Sequence, residues 1–251
     1  MQNNQAIANH SEIKIGIIGN ETLTKQLKDV LKTFPNFKPV YAVTTPESDV
    51  DETTANLMSD VDVLMFAEYH LYHKVTQRIN FSIPVHHMPL MGTGLYRSLL
   101  IIKNSYHTRS LSIDTIERNY VEQILYELED SNYDIYSFHD HMQPDLIGNI
   151  VQFHKNNYDK NGAIAVTGIQ EVANKLTELN IPNQWVVPTR QDMIVSLERA
   201  LLAAETRRNK ESQIVFGMID IDNFNRVIEK YPTEHDVQLL KLNIHQMLLA
   251  Y

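Results

Sequence analysis

The sequence predicts an α/β protein: two doubly wound parallel-sheet lobes, followed by a partial third unit. Three observations carry this. Short apolar runs such as IKIGIIG (Ile13–Gly19) and GAIAVT (162–167) are nearly free of polar residues, as in strands buried on both faces of a parallel sheet. Segments with helical spacing of apolar residues alternate with those runs. A charged stretch, ETRRNKE (205–211), then separates the alternation from a last segment of different character.

The elements follow in order. After a polar lead-in over residues 1–11, Ile13–Gly19 is the first strand. Asn20-Glu21-Thr22 opens a helix to Leu31, with Leu23, Leu27, Val30 and Leu31 on one face. Residues 39–44 are a second strand and 51–58 a short helix. Residues 61–67 are a third strand and 71–79 a third helix. Residues 84–90 form a fourth strand, and Gly92-Thr93-Gly94 leads a helix over 95–101. A second lobe starts with an amphipathic helix over 114–128, capped by Ser112 or Asp114. It continues with strand 133–138, helix 145–156, strand 162–167, helix 169–179 and strand 184–187. A long helix from Gln191 to about Arg208 ends it. The lobes are therefore expected at 12–105 and 106–205, with crossings near 104–112 and 188–192 as the hinge.

Composition narrows the function. The chain has 251 residues, 43% hydrophobic, enough to bury a sizeable core. Its formal charge is −9 and it has no cluster of five Lys or Arg, so direct nucleic-acid contact by this piece is not expected. It has no cysteine, which excludes disulfides, zinc–thiolate sites and cysteine nucleophiles. The polar start, MQNNQAIANHSE, lacks the apolar core of a secretory signal, and no apolar run reaches the ~18 residues of a membrane span. A cytoplasmic protein without membrane contact is expected.

In open α/β sheets, ligands bind beyond the carboxyl ends of the strands, where loops meet helix N-termini. That rule selects Gly19, Asn20 and Glu21, then Glu68 and Tyr69, then Gly92, Thr93 and Gly94 in the first lobe. In the second it selects His139, Asp140 and His141, then Thr167 and Gly168, then Thr189 and Arg190. Gly92-Thr93-Gly94 suits an anionic group, because glycines let backbone N–H groups approach a ligand at a helix start. Each of these glycines also fits a plain strand-to-helix turn. Close histidine pairs (His70 and His73, His86 and His87, His139 and His141) could ligate a metal, but no HExxH-type spacing supports them. GxSxG and GxxxxGK[ST] are both absent, so neither a serine hydrolase elbow nor a P-loop is present.

The last segment, 213–251, holds an apolar run ending in Asp220 and Asp222. In a strand, residues two apart share a face, so the two carboxylates would stand together and suit Mg²⁺. The same pattern also fits a turn with an N-cap. Ending on HQMLLAY, one helix later, it reads as the opening of a domain. Leu239, Leu242, Met247 and Leu248 could form a homodimer seam.

Two resemblances extend this reading. Asp220-Ile221-Asp222-Asn223-Phe224 and the following helix, with Glu234, Asp236, Gln238, Leu239 and Leu242, resemble the opening of the ferredoxin-like palm domain of diguanylate cyclases (GGDEF family) and of GTP cyclohydrolase III. Where a diguanylate cyclase carries a guanine-reading Asn, this sequence has Ile228, and the GGDEF hairpin is absent. Ile15 to Gly19, Ala165-Val166-Thr167-Gly168, and Pro188-Thr189 leading into a Leu- and Ala-rich helix resemble a periplasmic-binding-protein-like sensor. More narrowly, they resemble the cytoplasmic sensor of propionate-catabolism-type transcription regulators. This resemblance implies two lobes closing on a small polar or anionic metabolite, without a cofactor, and signalling to a C-terminal domain. The alternative, implied by the palm resemblance, is a GTP-using enzyme with an N-terminal regulatory module, in which Asp220 and Asp222 hold Mg²⁺.

Overall fold

A computed structural model describes residues 12–45, 48–139, 146–211, 230–231 and 233–249. The chain divides into two units, Met1–Glu211 and Ser212–Tyr251.

The first unit holds two four-stranded parallel sheets. One contains β1 (Ile13–Gly19), β2 (Phe37–Val43), β3 (Val63–Phe66) and β4 (Val85–His87), in the order β2-β1-β3-β4. The other contains β5 (Ser110–Ile113), β6 (Asp134–Ser137), β7 (Ile164–Thr167) and β8 (Asn183–Trp185), in the order β6-β5-β7-β8. Both lobes thus repeat one topology, although their sequences do not repeat. The order reverses between β1 and β3, and again between β5 and β7. At such a switch point the loops part to opposite faces of the sheet and leave a crevice at the strands' carboxyl ends.

Each sheet is covered on both faces, as the apolar runs require. Ile13, Ile15 and Ile17 of β1 enter one core layer, while Ile18 enters the layer on the opposite face. Helices α1 (Glu21–Leu31), α2 (Val50–Met58) and α3 (Tyr69–Thr76) follow the first three strands. In the second lobe, α5 (Arg118–Glu127), α6 (Leu146–Asn161) and α7 (Gln170–Glu178) do the same. Pro39 sits within β2, which begins two residues earlier than expected. It is tolerated because β2 pairs on one side only, with β1.

Two connecting helices depart from the sequence expectation. Helix α4 (Thr93–Ser105) buries Leu95, Leu99 and Ile102 with Leu111 and Ile113 of the second lobe. Helix α8 (Arg190–Glu211) buries Met193, Leu197, Ala200 and Ala204 with Ile15, Leu27 and Met65 of the first. Met88 belongs to the first lobe's core and Leu90 to the second's, so the chain first crosses at 88–93 and not at 104–112. The return crossing, at 186–190, lies close to the expected place. Each lobe is therefore completed by a helix that follows the other lobe's last strand.

A further difference is β5. Residues 104–112 are expected as a crossing and 114–128 as a helix, yet residues 110–113 form an inner strand of the second sheet, and the helix starts at Arg118. Ser112 and Asp114 are accordingly not helix caps: Ser112 is fully buried in β5, and Asp114 lies just past its end.

In the second unit, α9 (Glu234–Leu249) is described, and Leu239 and Leu242 on it are 44% and 53% exposed. Asp220, Asp222, Asn223 and Ile228 lie outside the described residues. Among the described residues, no helix is long and apolar enough to cross a membrane.

Candidate functional site

Both switch points open into one cleft of about 1270 Å³ between the lobes. From the first lobe come Asn20 after β1, Glu68 and Tyr69 after β3, and His70, His73 and Lys74 along α3. From the second come Asp114 and Thr115 after β5, Ser137 to His139 at the end of β6, and Ile169 to Glu171 after β7. Leu71, Ile116, Phe138, Leu146 and Ile147 give apolar wall. Gln170 Nε2 donates to Thr22 Oγ1 at 3.1 Å, which ties the N-termini of α7 and α1 together across the lobes.

The first lobe's floor is set by Asn20 and Glu68. Asn20 Oδ1 caps α1 by accepting from Leu23 N at 2.9 Å, which leaves its Nδ2 as a donor. Glu68 is 6% exposed, and its Oε2 accepts from Asn20 N at 3.0 Å. Gly19 lies where the ends of β1 and β3 meet; a Cβ there would stand 2.5 Å from that of Ala67.

The second lobe's floor is set by Asp114. His154 Nε2 donates to Asp114 Oδ2 at 3.1 Å, both side chains being fully buried, and Ser112 Oγ lies 2.7 Å from His154 Nδ1. The other carboxylate oxygen accepts from the backbone and hydroxyl of Thr115 and, at 3.4 Å, from Gly168 N. Burial pushes the Asp114 carboxyl up, but His154 and the Thr115 and Thr167 hydroxyls outweigh it, so it lies below the ordinary carboxylate range. Ser112, His154 and Asp114 have the composition of a hydrolase triad. Ser112 and His154 are nonetheless sealed in the core and absent from the cleft wall, so no substrate reaches that hydroxyl. The chain of bonds orients Asp114 at the cleft. Gly168 fits where it does because a Cβ would meet Leu90 and the Thr115 hydroxyl oxygen at 2.5 Å.

Five buried side-chain polar atoms have no partner among the described residues, and three of them belong to residues of this cleft: Asn20 Nδ2, His70 Nδ1 and Ser137 Oγ. Unpaired buried polar atoms are costly, and all three belong to residues that line one cavity. Burial pushes the His70 imidazole below its ordinary value, although Glu68, Asp114 and Glu171 pull the other way. Tyr69 packs edge-on against His87, with ring centroids 5.1 Å apart, and burial together with the Glu117 carboxylate across the cleft raises its phenol.

The residues singled out in the sequence separate into three groups. Asn20, Glu68, Tyr69 and His139 line the cleft; Gly19, Thr167 and Gly168 lie at the strand ends beneath it. Thr93, Gly94, Thr189 and Arg190 lie outside the cleft lining, at the two crossings between the lobes. There Asp192 accepts from Thr93 N and Gly94 N, both at 3.2 Å, and from Thr189 N at 2.8 Å. A Cβ on Gly94 would collide with the Val187 carbonyl oxygen. Sequence reasoning missed Asp114, Ser137 and the cleft-lining place of His70. Asp114 was hidden with β5; the signal that finds it is the repeated strand order, which makes the end of β5 the counterpart of the end of β1. Among the described residues, no group of three or more His, Cys, Asp or Glu is placed to hold a metal ion. Asp140 and His141 lie outside the described residues.

No protein-family model matches the chain, and no curated protein does. Solved structures do resemble it. An NtrC-family transcriptional regulator from Clostridium acetobutylicum is 15% identical, with a TM-score of 0.57, over 78% of this chain and 98% of that one. The ABC domain from Streptococcus pneumonia in complex with L-Trp is 12% identical, with a TM-score of 0.48, over 78% and 85%. An ABC transporter solute-binding protein from Mycobacterium smegmatis with bound glycerol is 10% identical, with a TM-score of 0.42, over 78% and 89%. None of these three is a cyclase or a GTP cyclohydrolase, and they lend the palm resemblance of the last segment no support. At a TM-score above 0.5, the first establishes that a regulator structure shares the fold: two doubly wound lobes around a cleft.

Proposed function

We propose that this chain is a ligand-sensing regulatory protein that binds a small polar metabolite between its two lobes and signals closure to its C-terminal segment. The observation that carries this reading is one cleft between the lobes whose lining residues include three with an orphaned buried polar atom, Asn20 and His70 from one lobe and Ser137 from the other. A ligand touching Asn20 and His70 on one side and Ser137 on the other bridges the two lobes. It therefore has higher affinity for the closed state, which is what a sensor requires. The two crossings, held side by side by Asp192, act as the hinge. The signal leaves through α8, which packs under the first lobe and ends at Glu211, where the second unit begins. The regulator with the same fold supports this reading at the level of architecture.

A thermal-shift screen of polyols, amino acids, short-chain acids and dicarboxylates tests it. A hit that raises Tm in the native chain and loses its effect in both Asn20→Ala and Ser137→Ala supports the reading. Hits that act equally on both variants, or no hits at all, contradict it.

A further inference from the structure

The cleft's own charges and hydrogen-bonding groups specify the ligand more narrowly than "small and polar". Around it, Arg78 is paired with Asp51, Arg118 with Glu122, Glu171 with Lys175, and Asp114 with His154. Glu68, Glu117 and Lys74 also line it, and they make no ion pair among the described residues. Glu68 is the telling one. It is almost completely buried, its carboxylate accepts a hydrogen bond from the neutral backbone N–H of Asn20, and a buried carboxylate without a cation is costly. A ligand that brings a positive donor to it relieves that cost.

Other groups require the opposite. Asn20 Nδ2 is a donor without an acceptor, because its amide orientation is fixed by the cap bond from Leu23 N to Oδ1. Helices α3, α5 and α7 all begin at the cleft, at Glu68, Glu117 and Ile169, and none has a side-chain cap. Glu68 and Glu117 make the first two starts acidic, whereas at α7, where Ile169 is the N-cap residue, the first N–H groups and partial positive charge favour an anionic oxygen. Lys74 adds a full positive charge on the same wall.

From these complementary demands we infer that the cleft recognises a zwitterion with an ammonium and a carboxylate close together, that is, a free amino acid. The ammonium meets Glu68 and Glu117; the carboxylate meets Asn20 Nδ2 and the uncapped start of α7. The remainder of the molecule packs against Phe138, Leu146 and Ile147. A dicarboxylate would be repelled by Glu68 and Glu117. A neutral polyol would leave the Glu68 charge buried and unmatched. This inference rests on the sensor reading and narrows its ligand.

Isothermal titration of the native chain against the L-amino acids tests it. The panel includes the corresponding amines without the carboxylate, the corresponding acids without the ammonium, and glycerol, ribose and succinate. The expected result is saturable binding of at least one amino acid. Removing either charged group should weaken it by roughly tenfold or more, as losing a charge-assisted hydrogen bond does. In Glu68→Gln, which keeps an acceptor for Asn20 N, amino-acid binding should weaken by a similar factor while the carboxylate-only analogue is unaffected. An unchanged melting temperature of that variant shows that it folds. Glu122→Gln, outside the cleft, should bind as the native chain does. If a polyol or dicarboxylate binds, depends on Asn20 and Ser137, and no amino acid does, this inference is overturned while the sensor reading stands. If nothing binds, both fall.

Discussion

Asp192 of α8 accepts a hydrogen bond from Gly94 N of α4 at 3.2 Å, across 98 residues of sequence. Gly92, the N-cap residue of α4, has no side chain to offer, so α4 borrows its cap from the other crossing. The same carboxylate completes a capping box on its own helix: Thr189 N donates to Asp192 Oδ2 at 2.8 Å, and Asp192 N donates to Thr189 Oγ1 at 3.3 Å. One side chain thus fastens both strands of the hinge. Asp192→Ala is expected to cost about 2 kcal/mol, the combined worth of two ordinary caps, as measured by chemical denaturation. A loss under about 0.5 kcal/mol would show that the crossings do not depend on it.

The same residue makes an acid-sensitive contribution. Burial works against the charge, but hydrogen bonds from Thr189, Thr93 and Gly94 outweigh it, so Asp192 lies below its ordinary value of 3.8. The unfolded chain therefore takes up this proton first. The stabilisation is complete above 3.8 and is lost as pH falls through the lower, folded value. Native and Asp192→Asn chains should accordingly converge in stability in strong acid, and a Tm difference that is constant with pH would contradict this.

His70 works over a different range. Burial holds its imidazole below 6.5, so the unfolded chain protonates first and stability falls as pH drops below 6.5. In His70→Gln, which keeps a polar group in the cleft, the slope of Tm against pH just below 6.5 should flatten. An unchanged slope would show that His70 is not the group responsible.

Much of the first lobe is legible in the sequence because β1 is an uninterrupted apolar run and Asn20 is an unmistakable cap. Ile18 and Phe66 face one layer while Ile15 and Met65 face the other, and that pattern is what a doubly covered strand must show. The strand β5 is not legible. SLSI is four residues long, two of them serines, and it abuts a sequence with strong helical spacing. The fully buried Ser112 is tolerated there because its hydroxyl bonds to His154, 42 residues away. The exchange of α4 and α8 between lobes is likewise invisible, since an apolar helix face does not reveal which sheet it covers. In the site, Asn20 and Glu68 follow from the strand-end rule, whereas Asp114 requires β5 to be known first.

The buried pair in the second lobe should be sensitive to truncation. His154→Ala leaves the fully buried Asp114 carboxylate without its strongest partner, and a loss of about 3–5 kcal/mol is expected in urea unfolding. A loss below about 1 kcal/mol would mean that the pair does not hold the cleft floor.

The exchange of helices gives a separate test. Leu197 of α8 is completely buried in the first lobe's core. Leu197→Ala should cost about 2–5 kcal/mol. In hydrogen exchange, amides of β1 and β3 should lose more protection than those of β5 and β7. Equal loss in both sheets would contradict the assignment of α8 to the first lobe.

The central claim is that one ligand is held from both lobes at the two switch points. Hydrogen-exchange mass spectrometry of the chain, with and without a ligand found by titration, tests this most directly. The account predicts new protection at the starts of α1 and α3 in the first lobe and, at the same ligand occupancy, at the start of α5 and the end of β6 in the second. Protection confined to one lobe, or centred on Thr93 and Thr189 at the crossings, would contradict it.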